Sequence, residues 1–383
     1  MDFDFTEAQV LLRESVARLL ERHAPPETVR RLDREGRYPD ALYEEAARMG
    51  LFQMPFPEAH GGLGGGVVEL VIINEEIGRH CFEFQGPFAA GVFCGLTILR
   101  AGDEAQKRHW LPRIFSGTMK MAICISEPDA GSDAGRMRTR ARRDGDSWVI
   151  SGEKLWTTGA SARDAMLNVY ARTDPSAPYR EGLSLFLVEN DRPGVGVRKL
   201  DMLGRRMVGL HQVVFDEVRV PADRLVGGEN KGWPAMLGGL QLERVAAAAG
   251  YWGGAQAVIE LARAHAMERR QFGQPIGGFH AIAHMLAGLH TEADAGRLLT
   301  WRAAAKLAAG EDALRETSMA KLFTSETYAR LSNLGMQIMG AMGYSMETDM
   351  QRHFRDSRSA TIGAGTSQMQ RNLIAGTLGL KPR

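Results

Sequence analysis

"SWVISGEKLWTTGA", Ser147 to Ala160, is where the chain stops reading as helix. Its β-branched and aromatic residues come at short intervals and are interrupted by Gly152 and Gly159, as in a strand between turns. "AMLNVYAR" (165–172), "GLSLFLVE" (182–189) and "HQVVFDEVRVPADRLVG" (211–227) repeat that texture. Residues 119–226 therefore predict a central antiparallel β-barrel or sandwich.

Both flanks are helical in period. On the N-terminal side, Val10, Leu11, Leu12, Val16, Leu19 and Leu20 recur with the 3.6 spacing of an amphipathic helix, so residues 1–118 predict a helical domain. The "HGGLGGG" run at 60–66 has neither a preceding strand nor a G-x-G-x-x-G register, and reads as a loop. On the C-terminal side, "LERVAAAAGYWGGAQAVIELARAHAMERR" (242–270) is a long helix with a small-residue face at Ala246 to Gly250, Gly253 and Gly254. Such a face lets helices approach closely. Residues 227–383 thus predict a four-helix bundle, and the chain as a whole an α+β multidomain protein.

Bulk properties exclude several classes. A net charge of +1 over 383 residues gives no electrostatic basis for binding nucleic acid. No apolar run reads as a membrane span. The start, "MDFDFTEAQVLLRESV", is acidic and amphipathic and lacks the pattern of a secretion signal. Cys81, Cys94 and Cys124 are odd in number and scattered, which fits neither a disulfide framework nor a zinc site. A cytoplasmic protein is expected.

Four stretches have the residue types for chemistry. "ICISEPDAGSDAG" (123–135) offers Ser126, Gly131 and Ser132, whose amides and hydroxyls could hold a flat heteroaromatic ring or form an ordinary polar turn. In "KLWTTGA" (154–160), Trp156 could cover a planar ligand beside Thr158, or be a core residue of its strand. In "ERRQFGQPIGGFHAIAH" (268–284), Arg269 and Arg270 suit a pyrophosphate or the carbonyls of a helix end. His280 and His284 share a helical spacing but lack a third ligand, so no metal is expected. The fourth, Gln337 to Asp356, leads into "IGAGTSQ" (362–368), where a tight Gly363–Ala364–Gly365 turn opens a helix at Thr366.

Together these stretches resemble the FAD-dependent acyl-CoA dehydrogenase family. "CISEPDAGSD" is similar to one signature of that family, and Q-x-x-G-A-x-G-Y-x-x-E-x-x-x-x-R-x-x-x-D (337–356) to another. "KLWTTGA", "ERRQFGQPIGGF" and "GTSQMQRNLIA" follow in family order across essentially the whole chain. Ala341 replaces a usual Gly or Ser, and Arg136 a usual small residue.

The resemblance implies that Ile123, Ile125 and Ser126 line the flavin ring, that Trp156 packs on it, and that Thr158 reaches its N5 region. Gly131 belongs to the same turn, and Ser132 would touch both FAD and the thioester. Arg269, Phe272, Phe279 and His280 (where Gln is common) would hold the ADP part of FAD in a neighbouring subunit, as would Gln337, Gly340 and Ala341. Thr366 and Gln368 complete the cradle. A homo-oligomer follows, most often a tetramer built as a dimer of dimers, with an acyl-CoA substrate and an electron-transfer flavoprotein as acceptor.

Most of the family carries its catalytic Glu in the turn that here reads Gly363–Ala364–Gly365–Thr366, so Ala364 stands at the base position. Glu243, at the start of the long helix, matches the position of the base in the isovaleryl-CoA and long-chain branches. Glu127 is the nearest rival carboxylate. Gln241, Arg244, Ala364 and Gly365 would line the substrate beside Glu243. An enoyl-CoA reductase, a flavin oxidase or monooxygenase, and a non-catalytic acyl-CoA or FAD scaffold are the alternatives to the dehydrogenase.

Overall fold

The computed structural model describes residues 5–381. Six helices come first: α1 (Glu7–His23), α2 (Pro26–Glu35), α3 (Asp40–Arg48), α4 (Val67–Cys81), α5 (Gln85–Ala101) and α6 (Glu104–Phe115). Local sequence sets several ends. Thr6 and Gln9 form a reciprocal capping box at α1, as Asp103 and Gln106 do at α6. Pro26 opens α2, and Gly36, at φ 61°, closes it in the left-handed region.

Eight strands follow: β1 (Lys120–Cys124), β2 (Arg140–Asp144), β3 (Ser147–Thr158), β4 (Ala165–Arg172), β5 (Leu183–Glu189), β6 (Val195–Lys199), β7 (Leu210–Pro221) and β8 (Leu225–Val226). They form one sheet in the order β6-β7-β3-β2-β4-β5-β8, with β1 also paired to β4. The expectation of a purely antiparallel sheet needs correction, because β1 runs parallel to β4 along its whole length. Parallel neighbours need a long crossover. Here that crossover holds residues 125–139 and the β2–β3 hairpin, so the Ser126–Ser132 loop emerges at the C-terminal end of β1.

The last part contains α7 (Gly232–Leu237), α8 (Leu240–Glu268), a small hairpin of β9 (Arg270–Gln271) and β10 (Gln274–Pro275), α9 (His280–Ala308), α10 (Leu314–Met339), α11 (Ala341–Tyr344), α12 (Met350–Ala360) and α13 (Ser367–Thr377). The small-residue face of α8 lies against α4. A Cβ on Gly253 would stand 2.1 Å from the Glu75 carbonyl, and one on Gly78 would stand 2.1 Å from the Gly250 carbonyl. Only glycine allows the two backbones to approach so closely.

The first and last helical parts are fastened to each other by polar contacts as well as apolar packing. Glu75 on α4 receives both Arg297 and the Trp301 indole from α9. Arg355 on α12 grips Asp33 on α2. The helical stretch Val67–Ala101 is, contrary to the sequence reading, long and apolar enough by composition to cross a membrane, but it is packed mostly inside the protein.

Candidate active site

Glu243 lies in the first turn of α8. It is partly buried, and among the described residues no side-chain hydrogen bond or ion pair reaches its carboxylate. Desolvation pushes its pKa up, while the charges of Arg244 and Lys321 pull it back. Cys94 from α5, Tyr170 from β4 and Tyr251 from α8 all lie within reach of its charge. Arg244 is buried and its Nε has no partner. An unpaired carboxylate in a dry surrounding is the form a general base takes when it must act near neutral pH.

Gln241, two positions earlier, differs from its expected place. Its Nε2 donates to Asp312 at 2.7 Å and its Oε1 accepts from the Ala313 amide at 3.0 Å. Two residues along a helix turn a side chain by roughly 200°. Gln241 therefore faces the α9–α10 connection and fastens it, rather than joining Glu243.

The Gly363–Gly365 turn has an unusual backbone. Ala364 has φ 52° and Gly365 has φ 83°, both in the left-handed region. An alanine held there carries strain that its surroundings must maintain. Gln370 Nε2 donates to the Gly365 carbonyl at 3.1 Å, and the Lys321 ammonium donates to the same carbonyl at 2.7 Å. Thr366 then caps α13 by accepting from the Met369 amide. Burial lowers the proton affinity of Lys321, and the charge of Glu243 on α8 opposes that fall.

Trp156 is not a core residue. It is half exposed, at φ 64°, in a bulge where β3 slips its register against β7 between Lys154 and Thr157. The Leu155 amide donates to the Ser126 carbonyl, which ties this bulge to the motif loop. Below them, buried Lys154 donates to Glu127 at 2.8 Å and to the Ile125 carbonyl at 3.1 Å. Glu127 also accepts from the Arg138 and Thr139 amides, and these contacts hold its pKa below the usual carboxylate range in spite of burial. A carboxylate so fully engaged is a poor base, which removes it as a rival to Glu243.

Thr366, Gln368, Arg330, Arg358 and Ile362 line a cavity of about 480 Å³. The buried Ser367 hydroxyl beside it has no partner among the described residues. A separate group surrounds the β9–β10 hairpin. Phe272 is 94% exposed at φ 49°, and its ring meets Phe279 edge-on at 6.2 Å. His280 stacks on His284 at 5.6 Å. Gln337 lies near the end of α10, and Gly340, with open space beside it, separates α10 from Ala341 and α11. This group cannot close on Glu243 of its own chain. Glu243 and Arg269 sit 26 residues apart at opposite ends of α8, which is roughly 39 Å along the axis.

Comparison with known proteins is decisive for the family. Residues 6–118 match the acyl-CoA dehydrogenase N-terminal domain, 122–218 the middle domain and 230–379 the C-terminal domain. The chain belongs to the acyl-CoA dehydrogenase family. This dehydrogenase is 36% identical to the probable acyl-CoA dehydrogenase YngJ of Bacillus subtilis over 98% of its own length and 99% of that protein. Its structure superposes on butyryl-CoA dehydrogenase of Megasphaera elsdenii with TM-score 0.93 at 31% identity, covering 99% of this chain and 100% of the other. A chain in a structure of the electron transferring flavoprotein of Acidaminococcus fermentans gives TM-score 0.94 at 29% identity, covering 99% of both chains.

The family is FAD-dependent, and the dehydrogenase has features that fit the cofactor. The Trp156 indole is presented outward by a bulge. The Ser367 hydroxyl is an orphaned donor beside a polar cavity. Gly131 has open space where a side chain would stand. Lys154, Gln370 and Lys321 escaped the sequence reading. A lysine or glutamine on an amphipathic helix or strand carries no mark of burial, and carbonyl partners leave no trace in sequence.

Proposed function

We propose that this dehydrogenase oxidises an acyl-CoA thioester between its α and β carbons to the trans-2-enoyl-CoA, with Glu243 as the base. The observation that carries this reading is the pairing of Ala364, which cannot take a proton, with Glu243, an unpaired and desolvated carboxylate whose ionised form is favoured by Lys321, the lysine hydrogen-bonded to the turn of Ala364.

Bound FAD supplies the hydride acceptor for the β carbon. Glu243 takes the α proton on a carboxylate oxygen. Its raised pKa makes it strong enough for a thioester α proton, and Arg244 keeps enough of it ionised to act. Charge that develops on the thioester oxygen calls for amide donors, and the amides of the left-handed Ala364–Gly365 turn would supply them. Ser132 would meet the thioester side, and Ile123, Ile125, Ser126, Trp156 and Thr158 would border the ring. Thr366 and Gln368 would take the polar end of FAD at the 480 Å³ cavity.

On this reading Arg269, Phe272, Phe279, His280, Gln337, Gly340 and Ala341 serve the FAD of a neighbouring subunit. The separation of about 39 Å along α8 supports that, and with it a homo-oligomer. An electron-transfer flavoprotein is the proposed acceptor, supported by the fold shared with the chain in the Acidaminococcus structure. The small Gly363–Ala364 pair leaves room for a branched or cyclic acyl group.

The test is anaerobic. Thioesters of graded length and branching are added to the purified yellow protein and the flavin absorbance is followed. Bleaching with branched or cyclic thioesters is expected. Bleaching with straight short chains alone would reject the bulky-substrate reading, and no bleaching with any thioester would favour a non-catalytic scaffold.

A further inference from the structure

Lys321 is a fully buried lysine with no carboxylate in ion-pair contact among the described residues. Leaving an ammonium in that state costs several kcal/mol unless its donors are met. Two are met by carbonyls. One belongs to Ala360, the last residue of α12, where the helix leaves carbonyls that favour a cation. The other belongs to Gly365, in the turn that contains Ala364. The ammonium therefore spans the end of α12 and the start of α13 and clamps the strained turn between them.

Further groups act on it from α8 and from α10 itself. The Tyr251 ring centroid lies 6.0 Å from the ammonium. Glu243 and Arg244 act on its charge from the same helix, and Glu326 acts from α10. The charge of Glu243 is felt in turn by Tyr251 on α8, Cys94 on α5 and Tyr170 on β4, and Arg244 and Lys321 both favour its ionised form. Lys321 is thus the cation that a neighbouring helix contributes to Glu243.

We propose that Lys321 is a positioning residue for the dehydrogenation: one ammonium holds the Ala364–Gly365 turn at the thioester and supplies the field under which Glu243 acts as base. The proposal rests on the assignment of Glu243. It explains why a buried lysine sits here instead of an apolar residue, which would pack α10 without the cost of desolvation. It also joins two functions that a turn-borne base would combine in one loop.

The test uses the flavin-loaded enzyme carrying Lys321→Met, Lys321→Arg or Glu243→Gln, and the Lys321→Met/Glu243→Gln double variant. In Lys321→Met the acidic limb of the kcat/KM profile should move to higher pH, since an ionised Glu243 loses a favourable neighbour. Lys321→Arg keeps the charge and should leave the limb in place, while kcat falls by about ten- to a hundred-fold as the turn is displaced. Melting temperatures of the four proteins that make up the double-mutant cycle give a readout free of activity. Coupling between positions 321 and 243 should be favourable at neutral pH and should vanish once Glu243 is protonated. An inactive Glu243→Gln with an unmoved limb in Lys321→Met and no pH-dependent coupling overturns the role of Lys321 alone. A Glu243→Gln variant as fast as the parent overturns the base assignment, and the proposal with it.

Discussion

Lys154 and Glu127 form a buried ion pair at 2.8 Å, with Lys154 at the edge of the bulge that turns Trp156 outward. The pair fixes the motif loop to β3 at the point where both are expected to meet the flavin. Removing one partner leaves a buried charge alone, and such a loss costs about 3–5 kcal/mol. Lys154→Met should therefore lose about that much stability in chemical denaturation and release its flavin more readily on dilution.

Glu243→Gln separates catalysis from binding. Flavin content should match the parent, while thioester-driven bleaching slows by about 10²–10⁴-fold, the usual contribution of a general base. Stopped-flow absorbance without oxygen reads both.

The same substitution has an opposite effect on stability. Burial holds the folded pKa of Glu243 above its unfolded value, so the parent is favoured below that unfolded value and loses the benefit as pH rises through the folded one. Glu243→Gln should gain stability relative to the parent as pH rises across that window and show no relative gain in acid. Thermal melts at a series of pH values check the sign.

Ala364→Glu, placed on Glu243→Gln, tests the direction of the turn. With Ala364 already left-handed and Gly365 pinned by Lys321, a carboxylate at position 364 should recover at least ten-fold in bleaching rate over the single variant. A double variant no faster than Glu243→Gln would show that position 364 does not face the α carbon.

Gly253→Val probes the framework behind the site. The added atoms would strike the Glu75 backbone on α4, and overpacking of this kind costs about 1–3 kcal/mol or more. The melting temperature should drop, while the pH dependence of bleaching stays that of the parent.

The helix–sheet–helix order was readable because periodicity changes from 3.6 to near 2 and back along the chain. The small-residue face of α8 announced its close packing, although its partner, α4, could not be named without the structure. The parallel pairing of β1 with β4 was hidden, since a crossover that holds its own hairpin looks in sequence like a series of antiparallel turns. Trp156 reads in sequence as either a core or a surface residue, and only the bulge distinguishes the two. Glu243, the proposed base, is singled out in sequence by the missing acid at Ala364 together with the helix position that the resemblance implies. Gln241 was misplaced because adjacency in sequence says little about which face of a helix a residue occupies. Lys321 was invisible, because its partners are backbone carbonyls.

The length of α8 has a genetic consequence. Glu243 lies at one end and the Arg269–Phe272 hairpin near the other, too far apart to serve one centre. On the reading that the hairpin serves a neighbour, alleles damaged at opposite ends of α8 are each inactive as pure assemblies. Co-expressed, they would assemble hybrids in which one centre receives an intact base from one chain and an intact hairpin from the other. Complementation between two null alleles would then be expected, restoring up to half of the centres in each mixed dimer.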